Sequence, residues 1–177
     1  MKKLFVFATL LILAGCFMST AYARIIKTPS VKEDLYRSIM VTRAVDGDTL
    51  KLANNERVRL IGIDTPEIHE SVKLYRDARK NKQDITVIQA LGRKSHEFTK
   101  KLVEGKQVRL EFDAEKRDKY GRLLAYVYLQ DGTFVNAEIV KQGYANLMTF
   151  PPNVKYADLF QKLYREAREA KRGLWKD

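Results

Sequence analysis

Three short stretches rich in Val, Ile, Leu and Thr follow one another between residues 38 and 63. They cover residues 38–45, 49–53 and 56–63, and each has the length and composition of a β-strand. Asn54 and Asn55 lie between the last two stretches and tolerate the left-handed backbone of a hairpin turn. The pattern predicts three successive antiparallel strands, which limits the chain to folds built around a small antiparallel sheet.

The rest of the chain alternates between helical and strand patterns. Apolar residues recur at helical spacing in residues 90–104, 134–142 and 155–172, while residues 106–112 and 122–130 have strand composition. Residues 68–89 are polar, without a clear apolar face, and we interpret them as a long surface excursion. It could be a solvated, partly helical loop or a basic flap over the substrate beside Glu67. The expectation is an α+β fold of five strands and three helices.

The N-terminus has the composition of an export signal. Lys2 and Lys3 precede an apolar run that is too short for a typical membrane span. Two processing routes fit: the small residues of Ala21-Tyr22-Ala23 suit signal peptidase, and Leu13-Ala14-Gly15-Cys16 resembles a lipobox whose Cys16 would attach the protein to a membrane. We therefore expect a signal peptide at 1–23, a linker at 24–37 and one domain at 38–177. The location would be periplasmic or extracellular, or lipid-anchored in the cell envelope.

The charge of the chain favours a polyanionic partner. The formal net charge is +11, and Cys16 is the one cysteine, which excludes an internal disulfide and a zinc–thiolate site. A positive charge of this size suits nucleic acid or an anionic membrane, although excess lysine can also serve solubility alone.

Three short segments, 46–49, 59–67 and 118–122, together contain a set of carboxylates and two arginines. Asp48, Asp64 and Glu67 could supply oxygen ligands to a cation and a base for water. Arg59 and Arg122 remain protonated and offer two parallel donors to phosphate oxygens. These are the groups that hydrolysis of a phosphodiester requires, although each segment alone would also suit a turn or a surface loop.

The ordered set of motifs resembles the thermonuclease family, whose domain is similar to staphylococcal nuclease. The resemblance extends over most of residues 38–175 and is carried by these segments: Val45-Asp46-Gly47-Asp48-Thr49-Leu50-Lys51-Leu52, Arg59-Leu60-Ile61-Gly62-Ile63-Asp64-Thr65-Pro66-Glu67, Phe98-Thr99-Lys100-Lys101, Asp118-Lys119-Tyr120-Gly121-Arg122, Val140-Lys141-Gln142-Gly143 and Gly173-Leu174-Trp175. It implies an OB-fold five-stranded antiparallel β-barrel with about three helices. It also implies a calcium-dependent endonuclease that cleaves DNA and RNA at the 5'-oxygen side and leaves 3'-phosphates.

The resemblance also implies a role for individual positions. Asp48, Asp64 and the Thr65 carbonyl correspond to Ca²⁺ ligands, Glu67 to the proposed general base, and Arg59 and Arg122 to the phosphate-binding arginines. Tyr120 corresponds to a tyrosine near the terminal phosphate, and Leu124 to an apolar contact with the base. Lys73 is a candidate phosphate contact, because the loop after Glu67 is longer than in the best-known member, and Phe150 is a candidate for stacking on a base.

Two other functions remain open at this point. Some domains of this fold keep the barrel and lose the chemistry, so the chain could be a noncatalytic OB-fold nucleic-acid-binding protein. It could also be a basic envelope protein that binds anionic lipid and uses the acidic cluster structurally. The paired arginines favour the nuclease, which we expect to be a monomer acting preferentially on single strands.

Overall fold

A computed structural model describes residues 31–176 and shows a closed five-stranded barrel. Its strands are β1 (Ile39–Ala44), β2 (Thr49–Leu52), β3 (Arg57–Leu60), β5 (Gln107–Glu111) and β6 (Leu123–Leu129), in the order β1-β2-β3-β6-β5. All pairs are antiparallel except β3 and β6, which run parallel. The expected OB-fold α+β class is confirmed.

A second, two-stranded sheet is formed where the third predicted strand is interrupted. Gly62 has φ +84°, and a β-carbon there would meet the Phe160 ring at 2.4 Å. The backbone therefore turns after β3 and continues as β4 (Gly62–Asp64), which pairs with β7 (Asn146–Met148) rather than with the barrel. This turn places Asp64 at the end of a short strand beside the barrel wall.

The polar segment 68–89, for which some helix was expected, is largely helical. It contains α1 (Val72–Asn81) and the start of α2 (Ile85–Val103). The Ser71 and Asp84 side chains cap the two helices, accepting hydrogen bonds from the N–H groups of Leu74 and Thr86. Leu74 is the one fully buried hydrophobic side chain in α1, which explains why no apolar stripe was visible in the sequence.

The two remaining helices are α3 (Val135–Lys141) and α4 (Ala157–Glu169), so the described residues contain four α-helices rather than three. In α4 the buried side chains are Phe160 and Ala167, whereas Leu159 is exposed. Short 3₁₀ segments cover Glu33–Tyr36 and Gly173–Trp175. Tyr36 is buried against Phe112, so the last part of the expected linker packs on the barrel domain.

The core fills the barrel and contains a small polar bridge. Inward-facing side chains such as Leu50, Val58 and Val127 are fully buried. Asn136, also fully buried, accepts a hydrogen bond from the Val127 N–H and donates one to the Ile61 carbonyl. This bridge fixes α3 to the barrel and satisfies backbone groups at the β3–β4 turn. Within residues 31–176, none of the helices is both long and apolar enough to cross a membrane.

Candidate active site

One cavity of about 340 Å³ lies where β2, β3, β4 and the 118–122 turn meet, and it gathers most of the predicted functional residues. Eight of the ten predicted site residues line it: Asp48, Arg59, Asp64, Thr65, Glu67, Lys73, Tyr120 and Arg122. They come from positions as far apart as 48 and 122 in the chain, so the barrel topology has assembled the site.

Asp48 is the most enclosed of the acidic groups, with 6% of the residue exposed. Its carboxylate accepts hydrogen bonds from the Thr65 N–H at 2.8 Å, from the Thr65 hydroxyl at 3.0 Å and from the Thr49 hydroxyl at 3.2 Å, and it pairs with Arg59. Burial alone would raise the pKa of Asp48, but Arg59 and the Thr65 N–H stabilise the charged form and lower it. Asp48 therefore connects the β1–β2 turn with the segment after β4.

The guanidinium of Arg59 is held between two carboxylates. It pairs with Asp48 and donates to Asp64 Oδ1 at 2.9 Å, and 14% of its side chain is exposed. Burial would lower the pKa of Arg59, yet the two aspartates raise it, so the group stays charged. A fixed, permanently charged fork at the edge of a cavity is suited to binding an anion.

Two further acidic groups, Asp46 and Asp64, have raised pKa values. Burial and the neighbouring Asp48 raise the pKa of Asp46, whose carboxylate accepts the Asp48 N–H at 2.9 Å. Burial also raises the pKa of Asp64, despite the opposing effect of Lys73. Four carboxylates (Asp46, Asp48, Asp64, Glu67) and two cations (Arg59, Lys73) form the inner cluster, which has a net charge of −2 when all are ionised.

Glu67 owes its position to a close contact between its own loop and α2. A β-carbon at Gly92 would lie 2.6 Å from the Glu67 carbonyl oxygen and 2.7 Å from that of Pro66, so only glycine permits this approach. The Glu67 side chain, 30% exposed, extends to the cavity and pairs with Lys73 at 3.0 Å. It is more accessible than the side chains of Asp48, 8% exposed, and Asp64, 16% exposed.

Lys73 extends from α1 into the carboxylate cluster. Its ammonium lies 3.1 Å from the Thr65 carbonyl oxygen, 3.2 Å from Asp64 Oδ2 and 3.0 Å from Glu67 Oε1. Burial would lower the pKa of Lys73, but Asp64 and Glu67 raise it. The structure thus places this predicted phosphate contact among the acidic groups, as their counter-ion.

Arg122 and Tyr120 come from the opposite side of the cavity, on the turn before β6. The Asp118 carboxylate accepts the N–H groups of Tyr120 and Arg122 and pairs with Arg122 Nε at 2.7 Å. Arg117 fixes the turn from behind by donating to the Gly121 carbonyl at 2.8 Å and to both oxygens of Glu56. Tyr120 remains 73% exposed, with its ring 5.6 Å from the Arg122 guanidinium.

Two predicted substrate contacts lie outside the cavity. Leu124 is half-buried and packs with the cluster of Ile61, Tyr126 and Phe160. Phe150 is 68% exposed in the segment after β7. Neither residue lines the cavity, so the structure does not bring them together with the acidic and arginine groups.

The donor set fits a hard cation. Three oxygens, from Asp64, Glu67 and the Thr65 carbonyl, already converge on one positive group, the Lys73 ammonium. Oxygen donors with net negative charge are what Ca²⁺ prefers. Within the described part of the chain, however, no group of three or more acidic, histidine or cysteine side chains is already arranged to coordinate a metal ion. Arg59 and Lys73 already pair with these carboxylates, so a metal ion would have to share or displace these contacts.

Sequence reasoning missed several residues that build the site. Thr99 donates to the Gly47 carbonyl at 2.7 Å and so anchors the Asp-Gly-Asp turn to α2. Arg76 and Met148 line the cavity, and Met148 Sδ lies 3.8 Å from the Arg59 guanidinium. A glycine inside a helical pattern, as at Gly92, was the available signal of a close backbone approach. Thr99 lies in one of the motif segments, but its contact with Gly47 was not predicted, and the contribution of Met148 had no local signal.

The fold and the site define the class: an OB-fold barrel with carboxylates and arginines collected in one cavity at its wall. The family model described as "Staphylococcal nuclease homologue" matches residues 57–177. The chain belongs to the thermonuclease-like, staphylococcal nuclease family.

Individual relatives agree with this assignment. The chain is 41% identical over 141 residues to a protein named thermonuclease from Staphylococcus intermedius, a match that covers 78% of this chain and 76% of the relative. It is 34% identical over 138 residues to a thermonuclease of Staphylococcus hyicus, covering 76% and 73%. It is also 39% identical over 142 residues to the SPbeta prophage-derived endonuclease YokF of Bacillus subtilis (strain 168), covering 77% of this chain and 43% of that protein.

Proposed function

We propose that the chain is an exported, calcium-dependent endonuclease that hydrolyses DNA and RNA at the 5'-oxygen side of the phosphodiester and leaves 3'-phosphates. Its membership of the staphylococcal nuclease family and the names of its relatives support hydrolysis of phosphodiester bonds. The observation that carries the proposal is the placement of Arg59, Glu67 and Arg122 around one cavity. A noncatalytic binding protein would not require a carboxylate base in the same cavity as two arginines.

The arginines supply the positive charge that the reaction requires. Negative charge grows on the non-bridging phosphate oxygens as water attacks phosphorus, and prearranged donors stabilise that state more strongly than the ground state. Arg59 is held from the barrel side by Asp48 and Asp64, and Arg122 from the turn side by Asp118. A phosphate in the cavity would lie between the two guanidinium groups, which line it from different elements.

Glu67 is the group best placed to handle the attacking water. Its carboxylate lines the cavity and is more exposed than those of Asp48 and Asp64. It can orient a water molecule and accept its proton as the oxygen bonds to phosphorus, while the bond to the 5'-oxygen breaks. The Lys73 ammonium lies 3.0 Å from Glu67 Oε1 and so fixes the position of this carboxylate at the cavity.

Asp48, Asp64 and the Thr65 carbonyl would hold the calcium ion, with Glu67 adjacent. A bound calcium ion supplies positive charge near the phosphate and makes a neighbouring water more acidic. Because Lys73 now contacts Asp64 and Thr65, its ammonium must withdraw from these oxygens or share them.

The test is cleavage of single-stranded DNA and RNA by the purified protein in calcium, in other divalent metals and in chelator. We expect calcium-dependent shortening of both substrates and 3'-phosphate ends by mass spectrometry. Glu67→Gln should reduce the rate by about a hundredfold or more. A fully active Glu67→Gln variant would exclude the base assignment. A folded protein that binds the strands without cleaving them under any condition would favour the noncatalytic alternative.

Export is proposed from the composition of residues 1–23. This segment, with its two candidate processing sites at Cys16 and Ala23, lies outside the described residues. The mass of the protein recovered from producing cells distinguishes the two routes. Cleavage after Ala23 gives a chain that begins at Arg24, whereas lipidation gives a chain that begins at a modified Cys16. An intact N-terminus on all recovered protein would contradict both.

A further inference from the structure

A second, larger groove adjoins the catalytic cavity, and we propose that it binds the continuation of a single-stranded nucleic acid whose scissile phosphate lies in that cavity. The groove, of about 970 Å³, has almost three times the volume of the cavity. Its cationic side chains include Arg76, Lys80, Arg168 and Lys176, and its aromatic ones are Tyr164 and Trp175. We call it the flanking groove. The inference rests on the proposed function for the chemical identity of its ligand.

The flanking groove and the catalytic cavity share one border. Six residues line both: Asp64, Thr65, Pro66, Lys73, Arg76 and Met148. A polymer bound in the cavity therefore has the groove directly beside it as the nearest concave surface for its next nucleotides. A mononucleotide would have no use for the additional surface, whereas a longer strand would contact both.

The charge of the groove selects a polyanion. Five cations and two carboxylates line it, which gives a net charge of +3. Within residues 31–176, no carboxylate forms a salt bridge with Lys80, Arg168 or Lys176, and all three are exposed. Arg76 is 66% exposed and contacts Asp77 at 3.7 Å. Cations that converge on a concave surface without counter-ions repel one another, and phosphates at regular spacing would relieve this repulsion.

The aromatic and apolar lining suits unpaired bases. The rings of Tyr164 and Trp175 meet edge to face at 5.5 Å, with the Arg168 guanidinium 5.7 Å and 5.1 Å from their respective centres. Apolar side chains of α2 and β7, such as Ile88 and Leu147, also line the groove. Stacking and apolar contact with bases, together with cations for the backbone, are the features of sequence-tolerant single-strand binding.

The contribution of α1 explains why this groove exists. Arg76 and Lys80 both project from α1, the helix in the segment that sequence reasoning interpreted as a surface excursion. The opposite wall comes from α4 and the C-terminal 3₁₀ segment, which carry Arg168 and Trp175. The groove is therefore formed by elements distant in sequence, and neither Arg59 nor Arg122 lines it.

The experiment compares binding of an oligothymidine of about 20 nucleotides with binding of a thymidine dinucleotide, measured by fluorescence anisotropy in chelator so that no cleavage is needed. The triple variant Lys80→Gln, Arg168→Gln, Lys176→Gln is compared with Lys94→Gln, Lys101→Gln, Lys106→Gln. The control removes the same charge from exposed lysines outside both cavities. A double variant, Lys80→Gln with Lys176→Gln, leaves Arg168 and its ring contacts in place in case the triple variant fails to fold.

We expect the groove variant to weaken binding of the long strand at least about tenfold more than binding of the dinucleotide. The salt dependence of long-strand binding should also fall by about two counter-ions, since each lost contact to a single strand removes about 0.7. Equal weakening by the groove and control variants would overturn the proposal, as would an unchanged ratio of the two affinities. Loss of binding to anionic phosphatidylglycerol vesicles, with long-strand binding intact, would instead assign the groove to a membrane. If wild type cleaves nothing in calcium but the groove variant still loses long-strand affinity, the proposed function fails and the groove assignment stands.

Discussion

The two sides of the catalytic cavity present their arginines in different ways. On the barrel side, Arg59 is 14% exposed and is held by two carboxylates that are themselves enclosed. On the turn side, Arg122 is 29% exposed and has one partner, Asp118, four residues earlier. On the barrel side, a substitution that removes one charge should affect both cleavage and folding stability, because the charges are buried and depend on one another. The turn side can lose its charge without a comparable effect on folding.

The largest effect is expected from Arg59→Leu. Removing Arg59 leaves the enclosed Asp48 without its cationic partner and Asp64 with Lys73 alone, which should cost about 3 kcal/mol of unfolding free energy. Loss of a prearranged donor should also reduce cleavage by about a hundredfold or more. Urea unfolding and single-turnover cleavage measure the two effects. Arg57→Leu, at an exposed position of the same strand, is the matched control and should change neither strongly.

Arg122→Leu should reduce cleavage without a comparable loss of stability. Cleavage should fall by about a hundredfold, as for Arg59. The unfolding free energy should change by less than about 1 kcal/mol, because the lost pair is partly exposed and local. Urea unfolding and single-turnover cleavage again measure the two effects. If Arg122→Leu destabilises the protein as much as Arg59→Leu, the contrast between the two sides is wrong.

Gly92→Ala tests how the barrel side positions Glu67. Alanine normally favours a helix by about 1 kcal/mol over glycine. Here its β-carbon would meet the Glu67 and Pro66 carbonyl oxygens, so we expect a net loss of about 1–3 kcal/mol and about a tenfold loss of cleavage. Glu97→Ala, at an exposed position of α2, is the control. A Gly92→Ala variant more stable than wild type would show that the helix and loop separate easily.

Lys73→Met addresses the competition between an ammonium and a metal for the same oxygens. The substitution frees Asp64, Glu67 and the Thr65 carbonyl, so calcium should bind about tenfold more tightly, a change of about 1.4 kcal/mol. Titration calorimetry with calcium alone measures this without reference to cleavage. Arg79→Met, an exposed position on α1, should leave the affinity unchanged. Weaker calcium binding by Lys73→Met would indicate that Lys73 organises the ligands instead.

The smallest effect concerns the support behind the turn side. The hydrogen bonds from Arg117 lower the pKa of Glu56. A lowered pKa in the folded state adds stability above the unfolded value of about 4.3, and this stability is lost as pH falls through the folded value. Glu56→Gln should therefore reduce stability by less than about 1 kcal/mol at pH 7. The difference from wild type should shrink in urea titrations taken below pH 4. A difference that grows on acidification would contradict the sign.

Much of the barrel could be predicted from local patterns. The strands were placed because apolar and β-branched residues mark them, and Asn55, at φ +66°, adopts the left-handed conformation expected of that turn. The break between β3 and β4 was missed, because the close approach of Phe160 to Gly62 involves residues almost a hundred positions apart. The position and extent of helix α1 were not predicted, because polar capping and ion pairs hold it, with one buried hydrophobic side chain.

The sequence by itself determined the chemistry of the site: which carboxylates and guanidinium groups are present, and that their motifs occur in the order of one family. Residue type and short-range spacing carry that information. Only the tertiary structure decided that Asp48 would bind the backbone of Thr65, that Lys73 would join the carboxylates, and that Phe150 would lie apart from them. These outcomes depend on how the elements of the fold pack together. Packing is decided by contacts between residues distant in the chain, which the periodicity of the sequence does not indicate.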